Sequence, residues 1–171
     1  MRDDLPDILL EARALLENTT PLASDCGRLC DGRCCSSMEG ETTGMLLFPG
    51  EDMYYEDMPD YRVVPSPAGD LLICSGHCRR EDRPLSCRLF PLLPVLRGDA
   101  VKVAVDLRAR PVCPLAQQGP CAMTEAFVEA VRGVGQLLCQ DPAQRAFLQR
   151  LTDQQDDLRA LRRRFGGDDR V

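Results

Sequence analysis

Cysteine is the residue type that most constrains this chain. The sequence has 171 residues and 10 cysteines, and four of these lie in the decapeptide 26–35. Such density is hard to explain by core packing. In a reducing compartment thiols stay free and available to metals, whereas in an oxidising one an even cysteine count favours a disulfide framework. The compartment therefore decides how the cysteines are interpreted.

The N-terminal residues favour the reducing compartment. Acidic side chains occur at Asp3, Asp4, Asp7 and Glu11, whereas an export signal starts with basic residues that precede an apolar core. We therefore expect no export signal and a cytoplasmic protein. The longest apolar run, 89–96, contains two prolines and is far shorter than the roughly 20 residues that span a membrane. No membrane association is expected.

The charge of the chain argues against nucleic-acid binding. The formal net charge is −6, and aromatic residues make up 5% of the sequence. Proteins that follow a phosphate backbone usually carry a basic stripe with interleaved aromatic side chains. We therefore expect no nucleic-acid partner, and the sequence leaves the identity of any protein partner open.

Hydrophobic periodicity predicts helices at both ends of the chain. Apolar residues at helical spacing predict an amphipathic helix over 5–17 and a second helix over about 123–138, with Thr124 as a plausible cap. Asp141 followed by Pro142 has the pattern of an N-cap before the first helical residue. The helix that follows is expected to present one apolar face, made of Phe147, Leu151, Leu158, Leu161 and Phe165.

Short strands are predicted between these helices. Residues 45–48 form a strand candidate, and two antiparallel hairpins are expected, 61–65 with 71–74 and 92–97 with 101–105. By contrast, residues 24–44 are rich in Gly, Ser, Cys and Asp and show no periodicity. This segment is predicted to be a loop whose order comes from a metal rather than from packing.

The expected fold class is α+β. We predict a small cysteine-rich metal-binding core with short antiparallel hairpins, flanked by an N-terminal helix and two C-terminal helices. Residues 1–121 would form the cysteine-cluster domain with its N-terminal helix. Residues 122–171 would form a C-terminal helical hairpin that packs on this domain.

The cysteines are spaced as metal ligands often are. A thiolate is a soft donor, and several thiolates two to four residues apart on a glycine-containing loop can wrap one ion, as structural zinc sites and iron–sulfur sites both do. One group of four cysteines lies within residues 26–35, a pair lies within 74–78, and two single cysteines follow next to prolines. The candidate metal ligands are Cys26, Cys30, Cys34, Cys35, Cys74, Cys78, Cys87 and Cys113.

Several of these motifs occur together in a known family. The adjacent Cys34-Cys35, the later Cys78, the stretch RPLSCRLFP over 83–91, and Cys113-Pro114 resemble the YkgJ-like cysteine-cluster family, described as a zinc- or iron-chelating CxxCxxCC domain. The resemblance covers roughly residues 24–121. It implies a metal-chelating role carried by the cysteines, and it transfers most directly to Cys30, Cys34, Cys35, Cys78, Cys87 and Cys113.

The chain departs from this family pattern in its first spacing. Three residues, rather than two, separate Cys26 from Cys30. The family has no well-defined general activity. The resemblance therefore implies a set of ligands more readily than a reaction.

Two cysteines and the one histidine are interpreted separately. Cys139 lies on a predicted helix and is expected to be a buried small apolar residue. Cys121 follows Gly119-Pro120 at a helix entrance, where it could be a ligand or a thiol of low pKa. His77 could be a ligand, a proton relay or an exposed turn residue. Because the chain has one histidine, hydrolysis by a Cys-His or Ser-His-Asp site has little support in the sequence.

Charged residues near the candidate ligands also allow two interpretations. Four thiolates around one zinc ion leave excess negative charge, which nearby cations could balance. Arginines are simply common in this chain, however, and their proximity could be coincidental. The candidates are Arg28, Arg33, Arg79, Arg80, Arg83 and Arg88. Acidic side chains that could either donate oxygen ligands to iron or belong to a solvated loop are Glu39, Glu41, Glu51 and Asp52.

The sequence thus supports three functional hypotheses. The leading one is a cysteine-cluster protein that chelates zinc or iron through thiolates and has a structural or metal-handling role. The second is an enzyme that uses iron or an iron–sulfur cluster for redox or modification chemistry. The third is a disulfide-stapled structural protein. No catalytic residue is assigned, and whether the protein is an enzyme is left open.

Overall fold

The computed structural model describes residues 5–35, 44–76 and 78–165, and their fold is α+β, as predicted. The α-helices of these ranges are α1 (Asp7–Leu15), α2 (Gly27–Cys30), α3 (Asp52–Tyr55), α4 (Leu85–Leu89), α5 (Pro114–Gln118), α6 (Glu125–Leu138) and α7 (Pro142–Phe165). The strands are β1 (Met45–Leu46), β2 (Tyr61–Ser66), β3 (Gly69–Cys74), β4 (Leu92–Arg97) and β5 (Ala100–Val105). Short 3₁₀ turns span Arg33–Cys35, Arg80–Asp82, Leu107–Ala109 and Pro120–Ala122.

The strands form two small antiparallel sheets. The first has the order β1-β3-β2, and the second is the β4-β5 hairpin, so both predicted hairpins are confirmed. In the first sheet, Tyr61 lies opposite Cys74 at the open end of the β2-β3 hairpin. Gly69 begins β3 with a φ of 133°, in the region that glycine enters at no steric cost. The hairpin therefore presents Cys74 at the sheet end away from its turn.

Helices α1 and α6 build much of the core. The inward face of α1 includes Leu9 and Ala12, both fully buried, and this helix is shorter than the predicted 5–17. Helix α6 packs against α1 and against both strands of the β4-β5 hairpin. Its predicted N-cap is confirmed, because the Thr124 side chain accepts a hydrogen bond from the Phe127 amide. Phe127 and Val131 are fully buried between these elements.

The apolar face predicted for α7 is correct only in the first half of the helix. Phe147 and Leu151 are buried, whereas Leu161 is 53% exposed and Phe165 is 75% exposed. Buried polar side chains continue the contact instead: the Leu96 amide donates to Thr152, and the Leu107 amide donates to Gln155. The register of α7 is therefore set by hydrogen bonds to the β4-β5 region, and its last turns extend into solvent.

The segment with four cysteines is more regular than predicted. Residues expected to be loop form α2 and the 3₁₀ turn Arg33–Cys35, although neither turn buries a residue. The rest of the predicted loop, 36–43, lies outside the described residues. The domain division at residue 121 stays a prediction, and one hydrophobic core contains residues from both sides of it. Within the described ranges, no helix is long and apolar enough to cross a membrane.

Two glycines of α6 give a matched test of this packing. A methyl group at Gly135 would lie 2.5 Å from Pro94 Cβ and 2.6 Å from Val101 Cγ1, whereas at Gly133 the nearest atom would be 3.8 Å away. We expect Gly135→Ala to lower the free energy of unfolding by about 1–2 kcal/mol, because overpacking outweighs the gain in helix propensity. Gly133→Ala should instead raise it, by up to about 1 kcal/mol. Urea denaturation of both variants measures the difference, and equal effects would contradict this packing.

Candidate metal centre

The eight candidate ligands come from four separate segments of the chain. Cys26 and Cys30 lie at the two ends of α2, and Cys34 and Cys35 follow in the 3₁₀ turn. Cys74 is the last residue of β3, and Cys78 lies in the loop after it. In the other two segments, the cysteines are Cys87 within α4 and Cys113 immediately before α5.

These segments meet around two adjoining pockets, each with a volume of about 100 Å³. The first, here called the hairpin pocket, is lined by Cys34, Cys35, Cys74, Cys78 and Cys87. The second, the helix pocket, is lined by Cys26, Cys30, Cys34, Cys87 and Cys113. The structure thus places all eight candidate ligands on these two pockets, whereas neither Cys121 nor Cys139 lines them.

The two pockets share one wall, made of Cys34, Arg83, Cys87 and Phe90. Two of these residues carry sulfur, so the pockets are adjacent compartments of one sulfur-rich region. Cys121 is exposed and lies in the turn Pro120–Ala122. Cys139 is half-buried and packs against the hydrophobic core.

The sulfur atoms are near one another but do not converge on one point. The Cys34 and Cys35 sulfurs are 3.8 Å apart, well beyond the roughly 2.05 Å of a disulfide bond. Among residues 5–35, 44–76 and 78–165, no three or more His, Cys, Asp or Glu side chains are grouped so that they could hold an ion. The soft donors suit zinc or iron, but the thiols would have to change side-chain rotamer to reach a common ion.

Burial and neighbouring thiols make Cys34 and Cys87 hard to ionise. Burial raises the pKa of Cys87 well above its usual range, and Cys35, Cys78 and Cys74 raise it further. A hydrogen bond with Cys35, followed by burial, raises the pKa of Cys34. Without a cation, these thiols are therefore protonated at neutral pH. A metal that binds them must displace their protons.

Arg83 is the arginine that contacts the sulfur atoms most directly. It lies on the wall between the pockets, and it interacts electrostatically with Cys78, Cys35 and Cys87. Burial raises the pKa of the Cys78 thiol, and Arg83 opposes this effect. The Nε atom of Arg83 is buried and has no hydrogen-bond partner among the described residues. Part of this guanidinium thus has unused donor capacity beside the cysteines.

The neighbouring Arg80 and Arg88 donate hydrogen bonds to other segments of the chain rather than to the cysteines. Arg80 donates to the carbonyl oxygens of Leu16 and Thr19, just after α1. Arg88 donates to the carbonyl oxygen of Arg80 and to the Glu17 carboxylate. Both arginines therefore connect chain segments, although they also line the helix pocket. Sequence proximity to cysteine alone does not distinguish them from Arg83.

Glu51 has neither of the roles that the sequence suggested for it. It is fully buried and lies 3.2 Å from the Arg13 guanidinium. Its carboxylate also accepts hydrogen bonds from the amides of Phe48, at 3.0 Å, and Leu85, at 2.8 Å. Because Leu85 is the first residue of α4, Glu51 fixes the helix that carries Cys87. Glu39, Glu41 and His77 lie outside the described residues.

Aromatic residues complete the hairpin pocket, and the sequence analysis missed them. Tyr61 and Phe90 both line it. Burial, with added repulsion from Cys78, raises the pKa of Tyr61 to about 12, so its hydroxyl stays protonated. The hairpin register offered a signal for Tyr61, because it pairs with Cys74. Phe90 belongs to the motif RPLSCRLFP, but its place on the pocket wall depends on tertiary packing.

Comparison of this sequence with known protein families, and of the chain with curated proteins and solved structures, found no match. The resemblance to the YkgJ-like family therefore rests on the motifs of this chain alone and stays a prediction.

The backbone around Gly76 shows how closely two cysteine segments approach. Gly76 lies between Cys74 and Cys78 and has a φ of 83°. A Cβ at this position would overlap the carbonyl oxygen of Cys35. The loop after β3 and the 3₁₀ turn Arg33–Cys35 are therefore in backbone contact. This proximity does not depend on how the cysteine side chains are rotated.

Gly76→Ala is expected to separate these two segments and to lower metal affinity. The positive φ costs alanine about 1–2 kcal/mol, and the overlap with Cys35 adds to that cost. Gly98 is a matched control, because its φ is 62° and a Cβ there would have nothing within 4 Å. Gly98→Ala should have the cost of the positive φ without any overlap, and it should leave metal content unchanged. Elemental analysis of both proteins tests this, and unchanged content in Gly76→Ala would contradict the proposed role of the contact.

Proposed function

We propose that this chain is a metal-binding protein that holds zinc or iron through cysteine thiolates, with a structural or metal-handling role. The proposal rests on the positions of the ten cysteines in the fold. The eight with ligand-like spacing line two adjoining pockets, whereas Cys121 and Cys139 do not. Core packing gives no reason for cysteines from four segments to gather in this way.

The weak packing of the first cysteine segment supports a structural role for the metal. Helix α2 and the turn Arg33–Cys35 bury no residue, and Leu29 is 63% exposed. Hydrophobic burial therefore contributes little to holding this segment in place. Bonds from its cysteines to an ion also held by Cys74, Cys78, Cys87 or Cys113 would fix it to the sheet and to helices α4 and α5.

The proposal predicts metal in protein that is purified without oxygen. Elemental analysis should find zinc or iron bound, and native protein should react at the exposed Cys121 much faster than at the eight candidate ligands. After denaturation and removal of metal, all ten thiols should react. The proposal would be contradicted if the protein bound neither zinc nor iron on anaerobic reconstitution and its eight candidate thiols were as reactive as Cys121.

The apolar lining of the hairpin pocket favours a second candidate function, an iron-dependent or iron–sulfur redox or modification enzyme. Met45, Tyr61, Leu72 and Phe90 line this pocket beside the cysteines. Solvent exposure and hydrogen bonding are among the factors that set the potential of an iron–sulfur cluster. This function predicts brown protein with visible absorbance when it is purified without oxygen. A colourless sample loaded with zinc would count against it.

A further inference from the structure

The shared wall between the pockets raises the question of how many ions the cysteines hold. Cys34 and Cys87 line both pockets, and the other six candidate ligands divide evenly between them. Structural zinc sites are almost always tetrahedral, with four protein ligands. Eight cysteines therefore suit two such sites, provided that Cys34 and Cys87 belong to different ones.

Chain geometry assigns Cys87 to the hairpin pocket. Helix α4, which carries Cys87, is held against the sheet that carries Cys74, because the Ser86 hydroxyl donates a hydrogen bond to the carbonyl oxygen of Leu46 in β1. The loop that contains Gly76 also lies directly against the backbone of Cys35. Cys35, Cys74, Cys78 and Cys87 therefore surround one compartment, between the end of β3 and α4.

The remaining four cysteines surround the helix pocket. Cys26, Cys30 and Cys113 line this pocket and not the hairpin pocket. Cys34 lines both pockets, and the hairpin pocket already has four cysteines once Cys87 is counted with it. It is therefore the fourth thiol on this side, and its contact with Cys35 joins the two sets.

We propose that the eight cysteines bind two metal ions side by side, one held by Cys26, Cys30, Cys34 and Cys113, the other by Cys35, Cys74, Cys78 and Cys87. This inference rests on the proposed function and deepens it. Cys35 lines only the hairpin pocket and Cys34 lines both, so the two ions would lie on either side of the shared wall.

Arg83 has the position and charge to stabilise such a pair. Two zinc ions, each with four thiolates, would leave two negative charges at each site, and a nearby cation lowers the cost of placing them together. Arg83 lies on the shared wall, interacts electrostatically with Cys78 and has a buried Nε without a partner among the described residues. It is a positioning residue for the sulfur ligands.

Zinc stoichiometry of the full chain tests the inference. The protein is reconstituted anaerobically with zinc alone, freed of unbound metal, and analysed for zinc per chain. We expect two ions in the unaltered protein, one in Cys26→Ser/Cys113→Ser, one in Cys74→Ser/Cys78→Ser, and two in the control Cys121→Ser/Cys139→Ser. Circular dichroism checks that each variant keeps its helices.

The outcomes separate this inference from the proposed function. One zinc ion per unaltered chain would overturn the two-site arrangement and leave thiolate metal binding in place. Loss of both ions from a folded double variant would also overturn it, because the sites would not be independent. No zinc in the unaltered protein would overturn the proposed function itself. If a double variant fails to fold, the stoichiometry of the unaltered chain still decides between one ion and two.

Discussion

Replacing Cys87 with serine is expected to weaken metal binding in the hairpin pocket by more than about 100-fold, beyond the roughly 10- to 100-fold caused by changes outside the ligand set. Cys87 lines both pockets and is carried by α4, so its sulfur faces the centre of the cysteine region. Serine has nearly the same size but offers a hard oxygen in place of a soft sulfur. Competition with a chelator of known affinity measures the loss.

Cys34→Ser should weaken metal binding in the helix pocket by a similar factor, and Cys139→Ser is the matched control. Cys139 lies half-buried against the core and lines neither pocket. Its replacement should leave metal content unchanged. Loss of a ligand should also loosen residues 27–35, which hydrogen exchange would detect as faster amide exchange. Equal metal stoichiometry in the Cys34, Cys87 and Cys139 variants would contradict the assignment.

Glu51→Gln is expected to lower the free energy of unfolding by about 3–5 kcal/mol, the usual cost of breaking a buried ion pair from one side. One carboxylate oxygen accepts from Arg13 and Leu85, and the other accepts from Phe48. The glutamine amide replaces one of these oxygens with a donor, so one buried N–H group loses its acceptor. Arg13 also loses the charge that balances it.

Asp156→Asn provides the comparison for Glu51→Gln. Asp156 pairs with Arg97 through two hydrogen bonds of 2.9 and 2.7 Å, but this pair is partly exposed. Exposed pairs contribute roughly 0–1 kcal/mol, so the change should be small. Urea denaturation of the two variants measures both effects. Similar losses would show that Glu51 does not anchor α4 as the structure indicates.

The regular elements could be predicted because their signals are local. The cap at Thr124, the Asp141-Pro142 helix start and both hairpins follow from residues only a few positions apart. The failure on α7 has a clear cause. Periodicity shows which residues of α7 share a face. How much of that face is buried depends on how far the β4-β5 region extends along the helix. The buried part of the face ends near Gln155.

The candidate site could be predicted only as a set of residues. Spacing selected the eight cysteines and excluded Cys139, whereas the role of Cys121 was left open; neither Cys121 nor Cys139 lines the two pockets. The distribution of the eight between the pockets depends on the approach of the loop at Gly76 to Cys35, which no local pattern encodes. The role of Arg83 and the burial of Glu51 likewise depend on contacts between distant segments.

X-ray absorption spectroscopy of the bound metal tests most directly whether cysteine sulfur holds it. For zinc-loaded protein we expect a first shell of about four sulfur atoms at about 2.3 Å. A shell dominated by nitrogen or oxygen at about 2.0–2.1 Å would contradict thiolate chelation.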